Sequence, residues 1–239
     1  MSVPHNSWAS IYDEVYERTF GSFIDDLTSR NLDIISEYAP ANCEILDVGA
    51  GTGRLSIPLL GKGYSVTAID PSDKMLQVLN SKDPKGKVHT VTSSIQNLDL
   101  QNTFPFIVCV FSVFCYLTTE QELKKAVAST AKHLAPEGRV LIDVTALGSF
   151  RGMNYDDPDF KRLITINDED PQNDVFRYHE AIEISSDSSQ TNYTDEFLIK
   201  YWHHQSILNL FNNAGIVLEE ELTSKIFGSG ARYFLLKNS

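Results

Sequence analysis

The sequence predicts an α/β protein built on a doubly wound, seven-stranded, mostly parallel sheet with an antiparallel insert after the fifth strand. Three observations carry that expectation. After Pro40, short apolar runs alternate with helix-length amphipathic segments; a glycine-rich turn, Gly49-Ala50-Gly51-Thr52-Gly53, directly follows the first run; and beyond residue 144 the rhythm changes to long segments of period-two patterning.

Residues 1–40 form a helical cap ahead of the sheet. Trp8, Ile11, Tyr12, Val15 and Tyr16, then Phe23, Leu27, Ile34 and Ile35, recur at spacings of three and four, punctuated by Gly21 and Ser22. The runs EILDV, YSVTAID and VHTVT then read as strands, separated by helices at Arg54 to Leu60 and Ser72 to Asn80. A fourth strand is expected near 106–114 and a helix from about Glu120 to Leu134. The turn Ala135-Pro136-Glu137-Gly138 then leads into a fifth strand, RVLIDV. The segments LITIND, VFRYHEAIEIS and TNYTDEFLIKYW alternate with period two, the last two flanking the polar tract Ser185 to Gln190. They predict an antiparallel hairpin within residues 150–202. A helix from His204 to Ala214, stopped by Gly215, precedes the strands IVLEEEL and ARYFLLK. No repeat or long linker divides the 239 residues, so a single domain is expected.

Composition narrows the function classes. A net charge of −12 opposes binding to phosphate backbones and anionic lipid, which excludes nucleic acid and membrane as expected partners. Cys43, Cys109 and Cys115 form no CxxC pair, the six histidines show no metal-ligand spacing, and no metal is expected. The N-terminal MSVPHNSWAS lacks an apolar stretch of signal-peptide length, so the expected location is cytoplasmic. The assembly state is left open, a homodimer included.

The glycine turn is the chief functional signal. In an open parallel sheet the ligand lies beyond the carboxyl ends of the strands, and the first strand-to-helix turn faces it. Gly49, Gly51 and Gly53 let the backbone take positive φ and approach a ligand closely. Asp70 ends the second strand on the same rim, where a carboxylate can accept both hydroxyls of a ribose. A nicotinamide dinucleotide site would want GxGxxG, but Arg54 stands where its third glycine belongs, and Asp47 would face the pyrophosphate. Asp47 suits a ligand carrying an ammonium group instead.

On these residues, DVGAGTGRLSIPLLGKGYSVTAIDPSDKML resembles the glycine-rich motif and acidic second strand of the class I S-adenosylmethionine-dependent methyltransferases, a Rossmann-like family. FSVFCYLTTEQELKKAVASTAKHLAPEGRVLIDV and FLIKYWHHQSILNLFNNAGI are similar to later segments of that family, so the likeness spans nearly the whole chain. It extends to small-molecule enzymes such as the aminosugar N,N-dimethyltransferases, which also carry an antiparallel insert over the active site.

The resemblance implies S-adenosylmethionine as cofactor. It assigns Asp47, Gly49, Ala50, Gly51 and Gly53 to the methionine end, Asp70 to the ribose, and Pro71 and Met75 to the adenine, with Tyr12 and Phe111 also at the cofactor. Ser94, followed by Ile95, occupies the place of the family's acidic residue near the adenine amine, and Phe106 that of an Asp at the start of the fourth strand. Tyr12 and Tyr16 share one helix face, which suits a core stripe or a cap over the cofactor. His203, after Trp202, matches a histidine of the aminosugar enzymes. It is the candidate base with Tyr16, although a helix-end histidine is also a capping group. Asp143, Trp202 and His179 are the candidate acceptor contacts, Asp143 on the rim and His179 in the insert. The acidic run at Asp168, Glu169, Asp170 and Asp174 reads as a solvated loop.

The expected reaction is methyl transfer to nitrogen or oxygen of a small-molecule acceptor by in-line displacement. The alternative is a non-catalytic S-adenosylmethionine-binding regulatory or scaffold protein, with a dehydrogenase third.

Overall fold

A computed structural model describes residues 3–186 and 189–239, leaving Asp187 and Ser188 of the polar tract outside the described residues. The N-terminal cap opens with a 3-10 turn, Asn6–Ile11. Two helices follow, α1 (Tyr12–Phe20) and α2 (Ser22–Tyr38), broken at Gly21, whose φ is +51°. Next come β1 (Glu44–Val48), α3 (Ser56–Gly61), β2 (Ser65–Asp70), α4 (Asp73–Lys82) and β3 (Val88–Thr92). The second half of the sheet is built by β4 (Phe104–Cys109), α5 (Glu120–His133) and β5 (Leu134–Thr145). The insert contributes β6 (Met153–Asp157), β7 (Phe160–Asp170), β8 (Val175–Ser186) and β9 (Ser189–Lys200). After it run α6 (His204–Asn213), β10 (Ile216–Glu221) and β11 (Ala231–Asn238).

The main sheet has the order β10-β11-β5-β4-β1-β2-β3. Strands β1 to β5 pair in parallel; β11 runs antiparallel to both β5 and β10. The chain winds outward from β1 to β3, then restarts beside β1 with β4, so the strand order reverses between β1 and β4 and opens a crevice there.

Period two inside the strands sorts the core into two layers. Ile45, Phe106, Val108 and Leu141 face the side covered by α2, α3 and α4, whereas Leu46, Ile107, Val140 and Ile142 face α5 and α6. Caps fix where the helices begin. Ser72 accepts the Met75 N–H ahead of α4, and Thr119 with Glu122 forms a reciprocal capping box on α5.

Four boundaries differ from the sequence reading. The helix after the glycines starts at Ser56 rather than Arg54, because Gly53, at φ +90°, holds the chain out of helical geometry immediately before Arg54. The fourth strand stops at Cys109; Phe111 and Ser112 then take positive φ and a 3-10 turn, Val113–Tyr116, follows. The turn Ala135-Pro136-Glu137-Gly138 lies inside β5. The insert is a four-stranded antiparallel sheet, β6-β7-β8-β9, not one hairpin. Its inner face packs against the cap: Trp8 and Val15 are buried with Phe160 and Ile182.

Candidate active site

β1 ends at Val48, and the chain then turns through Gly49 (φ +70°) and Gly51 (φ +54°). The two glycines answer different demands. A Cβ at Gly49 would lie 2.6 Å from Val113 Cγ2, whereas one at Gly51 would meet nothing within 4 Å. The first is bare because the 3-10 turn after β4 packs on it, the second because the loop opens there onto a cavity. The Gly49 and Ala50 N–H groups both donate to the Ile69 carbonyl, locking the turn to the end of β2.

That cavity has a volume of about 350 Å³ and is lined at one end by Gly49, Ala50, Gly51, Asp70, Pro71 and Met75. Ser94, Ile95, Phe111 and Tyr12 add to the same wall. Asp70 accepts the Gly51 N–H at 3.0 Å and the Ser72 N–H at 2.8 Å, one on each oxygen, which leaves each oxygen with acceptor capacity for a ligand. Burial raises its carboxyl pKa. Asp47 lies beneath the turn, 4% exposed, and accepts the Ser56 hydroxyl at 2.6 Å. Its pKa is pushed up to about 6, chiefly by burial, with the Asp70 charge adding.

The cap is fastened to this end. Asp13 on α1 accepts the Thr52 hydroxyl at 2.6 Å and pairs with Lys82, which itself donates to the Thr52 carbonyl at 2.8 Å. Tyr16 stacks behind Tyr12 with ring centroids 4.4 Å apart. Across the cavity, Asp143 holds the Phe111–Ser112 turn. Its carboxylate accepts Phe111 N–H at 2.9 Å and Ser112 N–H at 2.9 Å and 3.1 Å. Two consecutive non-glycine residues at φ +66° and +67° are costly, and these bonds are what keep them there.

The far end is built from side chains that meet across long sequence separations. His5, Tyr116, Phe197 and Leu198 line it. His5 contacts the Tyr116 hydroxyl through Nε2 at 3.0 Å, and its backbone N–H donates to Asp195. Burial, with Arg162 nearby, lowers the imidazole pKa to about 3, so the ring is neutral at working pH. Behind it Arg162 and Glu180 form a buried pair at 2.7 Å, with side chains 1% and 0% exposed. Tyr178 donates to the second Glu180 oxygen at 3.1 Å.

Not every expected site residue lines the cavity. Asp47, Gly53, Tyr16 and Asp143 stand one layer behind it. Trp202 is buried, donates its indole N–H to the Leu117 carbonyl at 2.8 Å, and borders a separate open groove. His203 is exposed at the start of α6 and accepts the Gln205 N–H at 3.3 Å, a capping contact. His179 is half-buried on β8 opposite Thr165 and Glu196. The lining also includes Arg54, His5, Tyr116 and Phe197, which the sequence reading did not select. Only Arg54 left a local signal, as the odd residue after the glycines. Among the described residues, no group of three or more His, Cys, Asp or Glu side chains converges to hold a metal, and no helix is long and apolar enough to cross a membrane.

Residues 45–138 match the methyltransferase domain family, a stretch that begins in β1 and ends in β5. The chain is 30% identical over 139 residues to the dTDP-3-amino-3,4,6-trideoxy-alpha-D-glucopyranose N,N-dimethyltransferase of Streptomyces venezuelae, covering 56% of each chain. It is 29% identical over 101 residues to the ubiquinone biosynthesis O-methyltransferase of Rickettsia akari, covering 41% of this chain and 39% of the other. The chain thus spans about half the length of the curated relatives it matches. Its fold superposes on the crystal structure of an S-adenosylmethionine-dependent methyltransferase from Clostridium acetobutylicum with a TM-score of 0.83 at 18% identity, covering 95% of this chain and 98% of that one. The match to the methyltransferase domain family thus lies on the strands and loops that build the cavity rim, and the fold around it is the Rossmann-like one of the S-adenosylmethionine-dependent methyltransferase structure.

Proposed function

We propose that this protein methylates nitrogen or oxygen on a small-molecule acceptor, with S-adenosylmethionine as donor. The observation that carries the reading is that one cavity is lined both by the glycine turn with Asp70 and by His5, Tyr116 and Phe197. The residues fit the donor: Gly51 leaves open the space a Cβ would take, Asp70 keeps acceptor capacity for ribose hydroxyls, and Pro71, Met75 and Ile95 offer an apolar shelf for an adenine. In this reading Ser94 meets the adenine edge, and Asp47 with Gly49, Ala50 and Gly53 shapes the methionine end. Tyr12 and Phe111 close over it, backed by Tyr16 and Asp143.

When bound, the donor supplies an electrophilic methyl group on a sulfonium sulfur. The chain's own contribution is positioning: holding reactants at near-attack distance is worth roughly 7–11 kcal/mol of a bimolecular barrier. An amine acceptor needs no base beyond arriving unprotonated; a hydroxyl acceptor needs one, and His5 at the cavity, its imidazole pKa lowered to about 3, is too weak a base to supply it. An amine is the first choice, on the likeness to the aminosugar dimethyltransferase. The same reading places the protein in the cytoplasm and keeps nucleic acid, opposed by a net charge of −12, off the partner list.

The test is calorimetric titration with S-adenosylmethionine and S-adenosylhomocysteine, repeated on Asp70→Ala, followed by an acceptor screen that begins with amines. Binding lost in Asp70→Ala supports the site. A wild-type protein that binds neither ligand overturns it.

A further inference from the structure

Tyr116 bridges the donor turn and the insert. It closes the 3-10 turn Val113–Tyr116, whose first residue packs on Gly49, and its own ring lies 5.7 Å from that of Phe197 on β9. Both Tyr116 and Phe197 line the cavity. What a hydroxyl in that place recognises depends on which side of it faces inward, the proton or the lone pairs.

His5 settles that direction. Its ring is enclosed by those of Trp8, Tyr12, Tyr116, Tyr178 and Phe197, with centroids 5.0 to 6.5 Å away, so its orientation is fixed. The ring is neutral, and one nitrogen carries the proton. Nδ1 is buried with no hydrogen-bond partner among the described residues and lies 3.9 Å from both Glu180 Oε2 and Asp195 Oδ2. A lone pair aimed at two carboxylates is repelled and an N–H is attracted, so the proton sits on Nδ1. Arg162, the remaining charge near the ring, is already paired with Glu180. Nε2 is then a bare acceptor, and the Tyr116 hydroxyl, 3.0 Å away, donates to it. With its proton committed to His5, the phenol oxygen turns its lone pairs to the cavity. Burial raises the phenol pKa, so Tyr116 keeps that proton.

We propose that Tyr116 orients the acceptor: its oxygen, set by His5, accepts an N–H of the incoming amine and turns the nitrogen lone pair toward the donor methyl. The inference rests on the reading of the cavity as a site for S-adenosylmethionine and an amine. His5 is a positioning residue, and neither group acts as a base. As the nitrogen–carbon bond forms and the carbon–sulfur bond breaks, the proton of the resulting ammonium is left for water. Primary and secondary amines carry the N–H that this contact needs and a tertiary amine does not, so transfer to a primary amine ends at two methyl groups.

The test compares, by calorimetry on the full chain, two ligands that differ at the transfer point. Sinefungin carries an amino group in place of the transferable methyl, and S-adenosylhomocysteine carries a bare sulfur there. Wild type binds sinefungin more tightly. Tyr116→Phe, which keeps the ring, weakens sinefungin roughly 10-fold and leaves S-adenosylhomocysteine within about twofold; His5→Phe gives a smaller drop of the same kind. Nitrogen NMR of histidine-labelled wild type at neutral pH, with the His5 signal assigned by its loss in His5→Phe, shows the ring proton on Nδ1. A proton on Nε2 overturns the proposal, because the phenol proton would then face the cavity. An unchanged sinefungin preference in Tyr116→Phe overturns it too, as does equal weakening of both ligands, which would make Tyr116 a packing residue. Failure of the underlying reading looks different: wild type itself would bind neither ligand.

Discussion

The two ends of the cavity are made by different means. At the donor end the wall is backbone and short-range contact: a turn of glycines after β1, a carboxylate at the tip of β2, an N-capped helix beyond it. At the insert end it is side chain against side chain. His5 meets Tyr116 at a separation of 111 residues and Asp195 at 190, and Arg162 and Glu180 come together between neighbouring strands under the cap. A site made of backbone geometry tolerates variation around it and keeps one ligand. A site made of interlocked side chains can be rebuilt for a new ligand by changing a few of them, but each change risks the fold.

That contrast predicts where a substitution costs most. Breaking the Arg162–Glu180 pair with Glu180→Ala strands a guanidinium in a site 1% exposed, and removal of one partner of such a pair costs about 3–5 kcal/mol. Thermal and urea melts should therefore show a large loss of stability, since the pair underlies the packing of cap on insert. Replacing both residues by apolar ones of similar volume should recover most of it. If Glu180→Ala melts like wild type, the insert end is not the interlocked structure described.

At the donor end the neighbouring glycines separate packing from ligand access. Gly49→Ala places a methyl 2.6 Å from Val113 at φ +70°, and should destabilise the protein by about 2–4 kcal/mol, left-handed strain and overpacking together. Gly51→Ala, at φ +54° with open space around it, should cost about 1 kcal/mol yet obstruct the cavity. The check is to measure both melting and S-adenosylhomocysteine titration on each variant. Equal stability losses would refute the distinction between the two glycines.

Asp143 joins the ends through the Phe111 turn, and pH tests it. Burial lifts its carboxyl to about 7 from an ordinary 3.8, so between those values the folded chain keeps a proton that the unfolded chain has released. Stability from this group is therefore complete below about pH 4 and falls as pH rises toward 7. Asn cannot ionise, so Asp143→Asn should gain on wild type by up to about 4 kcal/mol between pH 4 and pH 7.5, read from urea midpoints across that range. A gap independent of pH would show that the carboxylate is charged throughout.

The same contrast explains what the sequence disclosed. The strands, the glycine turn and Asp70 follow from periodicity and from residues within one βαβ unit, where spacing and geometry are tied together. The Phe111–Ser112 turn was hidden because neither residue is glycine; its positive φ is imposed by Asp143 from 31 or 32 residues away. The apolar run therefore read as one strand up to Phe114. β6, MNYDD, was missed because only two of its residues are even half-buried, leaving little alternation to detect. His203 carried a local signature but serves α6 as a cap, whereas His5 carried none and lines the cavity.

The smallest expected effect bears on how the cap and the donor end are joined. Asp13 is half-exposed, so its contacts with Thr52 and Lys82 should be worth no more than about 1 kcal/mol of stability, and Asp13→Ala should melt near wild type. Its effect on the ligand should be larger than on the fold. The Asp13–Thr52 bond is the hydrogen-bonded tie between α1 and the glycine turn, beside the contact of Tyr16 with Arg54, and α1 carries Tyr12 over the cavity. Loosening that tie lets the cap lift without unfolding it, because Trp8 and Val15 remain packed on the insert. Asp13→Ala should therefore release S-adenosylhomocysteine several-fold faster in stopped-flow displacement while its association rate changes less. A slower release, or a stability loss matching that of Glu180→Ala, would mean that the cap is held as one body with the insert and that the donor end does not depend on the clamp.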